Sequence, residues 1–118
     1  MIDAQLVPVG TSGTTVLFTP WFPRKEDNVR VVVELLATDL GKVGVELVHK
    51  SSEDVGDGTV MTGKIEVSSV GRSNPQEWLG LKELCRFRIT ATSTQTPVED
   101  GWVLFRLLSP EWFATVKA

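Results

Sequence analysis

At 118 residues the chain is long enough for one domain whose core needs neither disulfides nor metals. Its formal net charge of -3 excludes a general nucleic-acid binder, which would show a basic stripe, and its single cysteine excludes an intramolecular disulfide. The 17 Val, 12 Thr and 3 Ile exceed a quarter of the residues; β-branched side chains lose rotamer freedom in a helix and pack well on a pleated sheet, so composition favours an all-β fold.

Taken in order, Ala4 to Val9 is a short apolar run containing Pro8, which cannot donate to a ladder and so suits an edge strand. Gly10 to Gly13 is a turn, and Thr14 to Thr19 a second strand closed by Pro20. Thr19 to Asn28 then reads as a loop in which Pro20 and Pro23 bracket Trp21 and Phe22. The clearest stretch follows, from Val29 to His49. Two β-rich runs flank D-L-G-K, a turn containing Gly41, which predicts a β-hairpin. The two-residue period puts Val31, Val33, Leu35 and Ala37 on one face of the first run, and Val43, Val45 and Leu47 on one face of the second.

Lys50 to Gly58 is a polar loop with three carboxylates, and Val60 to Ser69 a further strand with Met61, Gly63, Ile65 and Val67 on one face. Pro75 to Leu84 carries a helix-start signal, with Ser73 or Asn74 ahead of a proline, so at most one short helix is expected near residues 75–84; Gly80 weakens it. Cys85 to Ser93 alternates cleanly, with Cys85, Phe87, Ile89 and Ala91 against Arg86, Arg88, Thr90 and Thr92. Gln95 to Gly101 is a turn, Trp102 to Leu108 a strongly apolar strand, and Trp112 to Val116 a last short strand or turn after Ser109-Pro110-Glu111.

About seven or eight strands with Gly, Pro, Asp and Ser turns predict a single-domain antiparallel two-sheet β-sandwich over residues 1–118, jelly-roll being one such topology, with a small barrel as the alternative. The outward Arg30, Glu34, Glu46, Lys64, Glu66, Arg86, Arg88 and Arg106 are interleaved in sign, as on a solvated face or a polar subunit contact.

Catalytic chemistry finds little support. Cys85 falls on an apolar strand face and His49 at a strand end, no G-x-S-x-G is present, and two Cys/His residues cannot make a zinc site. Phosphate-binding glycine motifs are lacking as well, so no cofactor is expected. Glu53, Asp54 and Asp57 form a weak calcium candidate without the spacing of a helix-flanked calcium loop. Trp21, Trp78 and Trp112 each lie in a proline-bearing context. They suit capping of the sandwich ends, anchoring in a protein interface or stacking on sugars, in that order of preference.

The expected function is therefore non-enzymatic: a β-sandwich subunit of a larger particle, such as a phage-like capsid, decoration or tail component. Its interface would be carried by Trp21, Phe22, Trp78, Trp112 and Phe113, with the Ala4–Val9 edge open to a neighbour. The alternative is a carbohydrate- or ligand-binding module using loop tryptophans. Partners are expected to be proteins, through self-association or a scaffold, with no nucleic acid and no membrane. Without a signal-peptide pattern the expected setting is cytoplasmic or an intracellularly assembled particle.

Overall fold

The computed structural model describes residues 2–10, 12–95 and 100–115, and among them there are strands and no helix. The strands are β1 (Ile2–Pro8), β2 (Thr14–Phe18), β3 (Phe22–Pro23), β4 (Asn28–Val31), β5 (Val33–Asp39), β6 (Gly41–Lys50) and β7 (Thr59–Val60). They continue with β8 (Ile65–Val67), β9 (Gly71–Arg72), β10 (Gln76–Trp78), β11 (Leu84–Ser93), β12 (Trp102–Leu107) and β13 (Glu111–Phe113). Every pairing between them is antiparallel.

Most of the short strands are interrupted pieces of longer ones. β2 and β3 both run along β11, and β7 and β8 both run along β6. β4 and β5 are separated by Val32 alone; β12 then β13 line one side of them, β9 then β10 the other. Joined in this way, the thirteen strands make eight, in two layers. One layer runs β1, β12/β13, β5/β4, β9/β10; the other runs β2/β3, β11, β6, β7/β8. Numbered along the chain these orders are 1-8-3-6 and 2-7-4-5, the strand order of a jelly roll. The two-sheet sandwich expected from the sequence is the observed architecture.

The Val29–His49 stretch is not a hairpin. β5 pairs with β12 and β9, and β6 pairs with β11, β7 and β8, so the chain crosses from one layer to the other at Asp39–Gly41. Leu40 takes φ 56°, a left-handed conformation unusual for leucine. The Thr38 hydroxyl donates to Gly41 O at 2.6 Å, and Thr94 N donates to Leu40 O at 2.9 Å, which pins the corner. The apolar faces read from the sequence meet across the sandwich instead of side by side. Val31, Val33, Leu35, Val43, Val45 and Leu47 are all at most 1% exposed. Ala37 departs from the expected face: the β5–β12 register shifts between Leu104 and Phe105, so beyond it Thr38 lies opposite buried Val103 and Ala37 opposite half-exposed Leu104.

The expected helical turns near 75–84 are also absent. Gln76 to Trp78 pairs with Val31 to Val29, and Trp78 is buried with its indole Nε1 donating to Gly63 O at 3.3 Å. Gly80 adopts φ 68°, and its N–H donates to Oδ1 of buried Asn28 at 3.1 Å. A deep site for one indole outweighs a helix-start signal in a segment with no helical apolar period. The Val60–Ser69 strand is broken into β7 and β8, with Gly63 at φ 109° in the gap. The turn expected at Gln95–Gly101 lies mostly outside the described residues, as does Val116.

Gly101 sits hard against the crossing. A Cβ there would fall inside contact distance of Asp39 O and 3.1 Å from Leu40 O, both backbone atoms that cannot swing aside. Gly101→Ala is expected to lower unfolding free energy by about 2–3 kcal/mol, the range for forced overpacking, read as a fall in urea midpoint at unchanged slope.

Candidate interaction surface

The segment Thr19–Pro23 places one aromatic on each side of the second layer. Thr19 holds β11 twice, through its N–H to Phe87 O at 3.0 Å and by accepting from Phe87 N at its hydroxyl at 2.9 Å. Phe22 then lies opposite Cys85 and turns inward, 5.5 Å from the Phe87 ring and 6.3 Å, edge-on, from Trp112. Trp21 stays outside. Arg86 lies over its ring at 4.4 Å and Lys50 at 4.5 Å, and Arg86 also lies over the Phe18 ring at 4.2 Å. Each of these cation contacts is worth about 0.5–1 kcal/mol at an exposed site. Gly58 fits beneath this cluster: a Cβ there would meet Trp21 Cη2 at 2.9 Å and Val48 Cγ1 at 3.1 Å.

The five aromatics expected at an interface thus separate. Trp78 is corrected: it is 1% exposed, packs 6.3 Å from Phe87 and belongs to the core. Trp112 is half-buried and with Phe22, Pro23, Lys25, Ser109 and Pro110 lines an open groove of about 470 Å³. Phe113 is half-buried on β13, opposite Asn28. Trp21 offers no free ring for sugar stacking, being covered by Arg86 and Lys50.

The titratable residues follow the same logic. Cys85 and His49 lie directly opposite on β11 and β6, a juxtaposition the sequence did not announce. Both are committed to the backbone of Lys82. Lys82 N–H donates to His49 Nδ1 at 3.1 Å, and the Cys85 thiol points at Lys82 O at 3.7 Å. Burial pushes the Cys85 thiol up to about 11, and burial, with Lys82 nearby, holds His49 below its usual value. A thiol so raised is a core residue, not a nucleophile. In the acidic loop, Asp54 Oδ1 accepts from Gly56 N at 2.7 Å, and all of Glu53, Asp54 and Asp57 are exposed. Among the described residues no three Asp, Glu, His or Cys side chains gather as a cation site would require.

Most outward charges close into pairs. Arg30 reaches Glu77 at 2.8 Å and Glu111 at 3.5 Å, Lys42 and Lys64 share Glu66, and Arg106 and Arg72 share Glu34. Hydrogen bonds from Arg106 to Glu34 and from Lys42 to Glu66 hold both carboxyls below the usual range. The charge ladder read from the sequence is therefore split between the layers. Arg86 and Arg88 are outside it: among the described residues neither has a carboxylate within 4.0 Å, although Glu46 is the register partner of Arg88. The Nε atoms of both are buried without an acceptor.

The sheet edges differ sharply. β1 is an edge, as expected for Ala4–Val9, but it carries a register shift between Ile2 and Gln5 and ends at Pro8. β7/β8 is broken around Gly63 and Lys64, and β9/β10 around Ser73–Pro75, next to Arg72. Interruptions, prolines and charges of this kind blunt an edge against foreign strands. The β2/β3 edge is broken too, at Thr19–Trp21 with Pro20 in the gap, but its β2 part carries no proline, charge or register shift. Its five residues, T-T-V-L-F, pair in unbroken register with β11 on one side only, and Val16, Leu17 and Phe18 are 41%, 42% and 49% exposed. The strand is expected from the sequence, its exposed edge is not; the one signal for that is three consecutive apolar residues where a half-buried strand alternates.

The chain matches no family model, no curated protein and no solved structure in the comparisons made.

Cys85 is expected to resist a disulfide reagent at pH 8 in the folded chain and to react at once in urea. The fold binds neutral His49, so its contribution is fully present above 6.5 and declines as the unfolded chain protonates below it. A modest drop in urea midpoint between pH 7.5 and 5.5 is expected, and His49→Asn, which keeps an acceptor but does not titrate, should shrink it.

Proposed function

We propose that this chain is a non-enzymatic assembly subunit that joins a neighbouring protein by strand addition at β2. The observation that carries this reading is β2 itself: five uncharged residues in unbroken register on an open edge, with three consecutive exposed apolar side chains, Val16, Leu17 and Phe18. An added strand would satisfy the open ladder of β2 and cover Val16, Leu17 and Phe18 at the same time. Arg30, Arg72, Arg106, Lys42 and Lys64 already pair within the chain, so the apolar face and open ladder of β2 are the main adhesive. A shell, decoration or tail component is the setting that suits a compact jelly-roll sandwich with this sticky edge; that setting rests on architecture, which many unrelated functions share.

Two observations count against the ligand-module alternative. Trp78 is inside the core, and Trp21 has its ring covered by Arg86 and Lys50. Trp112 does border an open groove.

Light scattering over a concentration series is expected to show the chain associating, with the β2 amides gaining hydrogen-exchange protection as it does so. Leu17→Lys places a charge on the edge beside buried Ile89, at a stability cost of about 1 kcal/mol, and should leave a folded monomer. A monomer at every concentration, with β2 amides equally unprotected in both proteins, overturns strand addition between copies.

A further inference from the structure

We infer that the segment received at β2 carries carboxylates on its outward side, and that Arg86 and Arg88 take them. This rests on the strand-addition reading and specifies the partner's chemistry. Phe18 belongs to both features: it is one of the exposed β2 residues, it lies opposite Arg88 in register, and its ring supports the Arg86 guanidinium at 4.2 Å. Arg86 is held against Phe18 and Trp21, so its position is fixed before any partner arrives. A guanidinium presents a fork of N–H donors that matches a carboxylate. Of those donors, one Nη2 contact to Asp57 O is long, at 3.4 Å, and Nε has no acceptor. Arg88, two residues along the same outward face of β11, repeats the pattern with an unpartnered Nε and no ion pair to Glu46.

The other arginines on the outer faces spend their charge within the chain, on Glu77, Glu111 and Glu34. Among the described residues Arg86 and Arg88 are the arginines without an ion pair, and both lie on β11 directly beside β2. β2 itself, T-T-V-L-F, has no acid, so a second β2 laid edge to edge would leave both unpaired. The occupant that completes the site is an extended protein segment alternating apolar with acidic residues: apolar side chains continue the inner face beside Leu17, and acidic ones reach over β2 to the two guanidinia.

The test uses the full chain and short synthetic peptides alternating valine with glutamate, glutamine or lysine, followed by Trp fluorescence and by polarisation of a labelled peptide. The glutamate peptide is expected to bind about tenfold or more tightly than the glutamine one, with the difference shrinking as salt rises, and the lysine peptide not to bind. Arg86→Gln and Arg88→Gln should each weaken the glutamate peptide by about tenfold while leaving the glutamine peptide unchanged. Because Arg86→Gln also removes ring stacking, Arg88→Gln, which keeps that stack, guards against a folding artefact. Equal binding of glutamate and glutamine peptides, or arginine variants that bind like the wild type, overturns the inference. Binding that survives Leu17→Lys but is lost in the arginine variants upholds the carboxylate contact and overturns strand addition. Binding of an oligothymidylate in place of the glutamate peptide overturns it in favour of a nucleic acid.

Discussion

The crossing at Asp39–Gly41 is the constraint on which the rest depends. Each of the strands it joins has one wholly apolar face. Two such strands can hide those faces by lying side by side against a third element, or by facing each other. The chain takes the second course, at the expense of a left-handed leucine, and Thr38 and Thr94 fix it with hydrogen bonds to Gly41 and Leu40. Once β5 and β6 face each other, each needs different neighbours. β12 supplies Val103, Phe105 and Leu107 to one layer and β11 supplies Phe87, Ile89 and Ala91 to the other, all nearly inaccessible. The pattern repeats around the molecule: β1 to β2, β8 to β9 and β11 to β12 also change layers, which is what gives the jelly-roll order its crossings.

That geometry explains what could be read from the residues. The two-residue period correctly marks the buried faces of β4/β5, β6 and β11, because burial depends only on local alternation. It does not say who pairs with whom. D-L-G-K suits a tight hairpin and a layer crossing alike; the distinction lies in Gly101 and Val103, more than sixty residues away, packing against the corner. Ala37 was misplaced for a related reason, since a one-residue register shift is invisible without the partner strand. Residues 75–84 offered a real local signal for a helix start, and it lost to the buried indole of Trp78 and to Asn28, which needs Gly80 as its donor.

The interaction surface was legible only in part. The T-P-W-F-P segment reads as a constrained aromatic loop, but its second half, Phe22–Pro23, is the strand β3. Which ring faces in and which faces out follows from pairing with β11, and that could not be known beforehand. The same strand explains Arg86 and Arg88. Alternation predicts that they point outward, but only the fold brings Phe18 and Trp21 to one of them and withholds a carboxylate from both. Cys85 and His49 show the opposite case. They do meet across strands, yet burial and the Lys82 backbone leave them as packing and hydrogen-bonding groups, so proximity alone conferred no reactivity.

The weight placed on β2 comes from how little it takes to blunt an edge. One charge among the four exposed residues of β2, on its outward side at Val16, changes stability by no more than about 0.5 kcal/mol. The same chain uses such devices elsewhere, with Pro8 and a register shift on β1, Lys64 in the gap of β7/β8, and Arg72 and Pro75 along β9/β10. A five-residue edge segment of Thr, Val, Leu and Phe is costly in water, because it presents both an open ladder and apolar surface. Both costs are removed by the same event, the arrival of one more strand, and two unpaired guanidinia stand beside the place where it would lie.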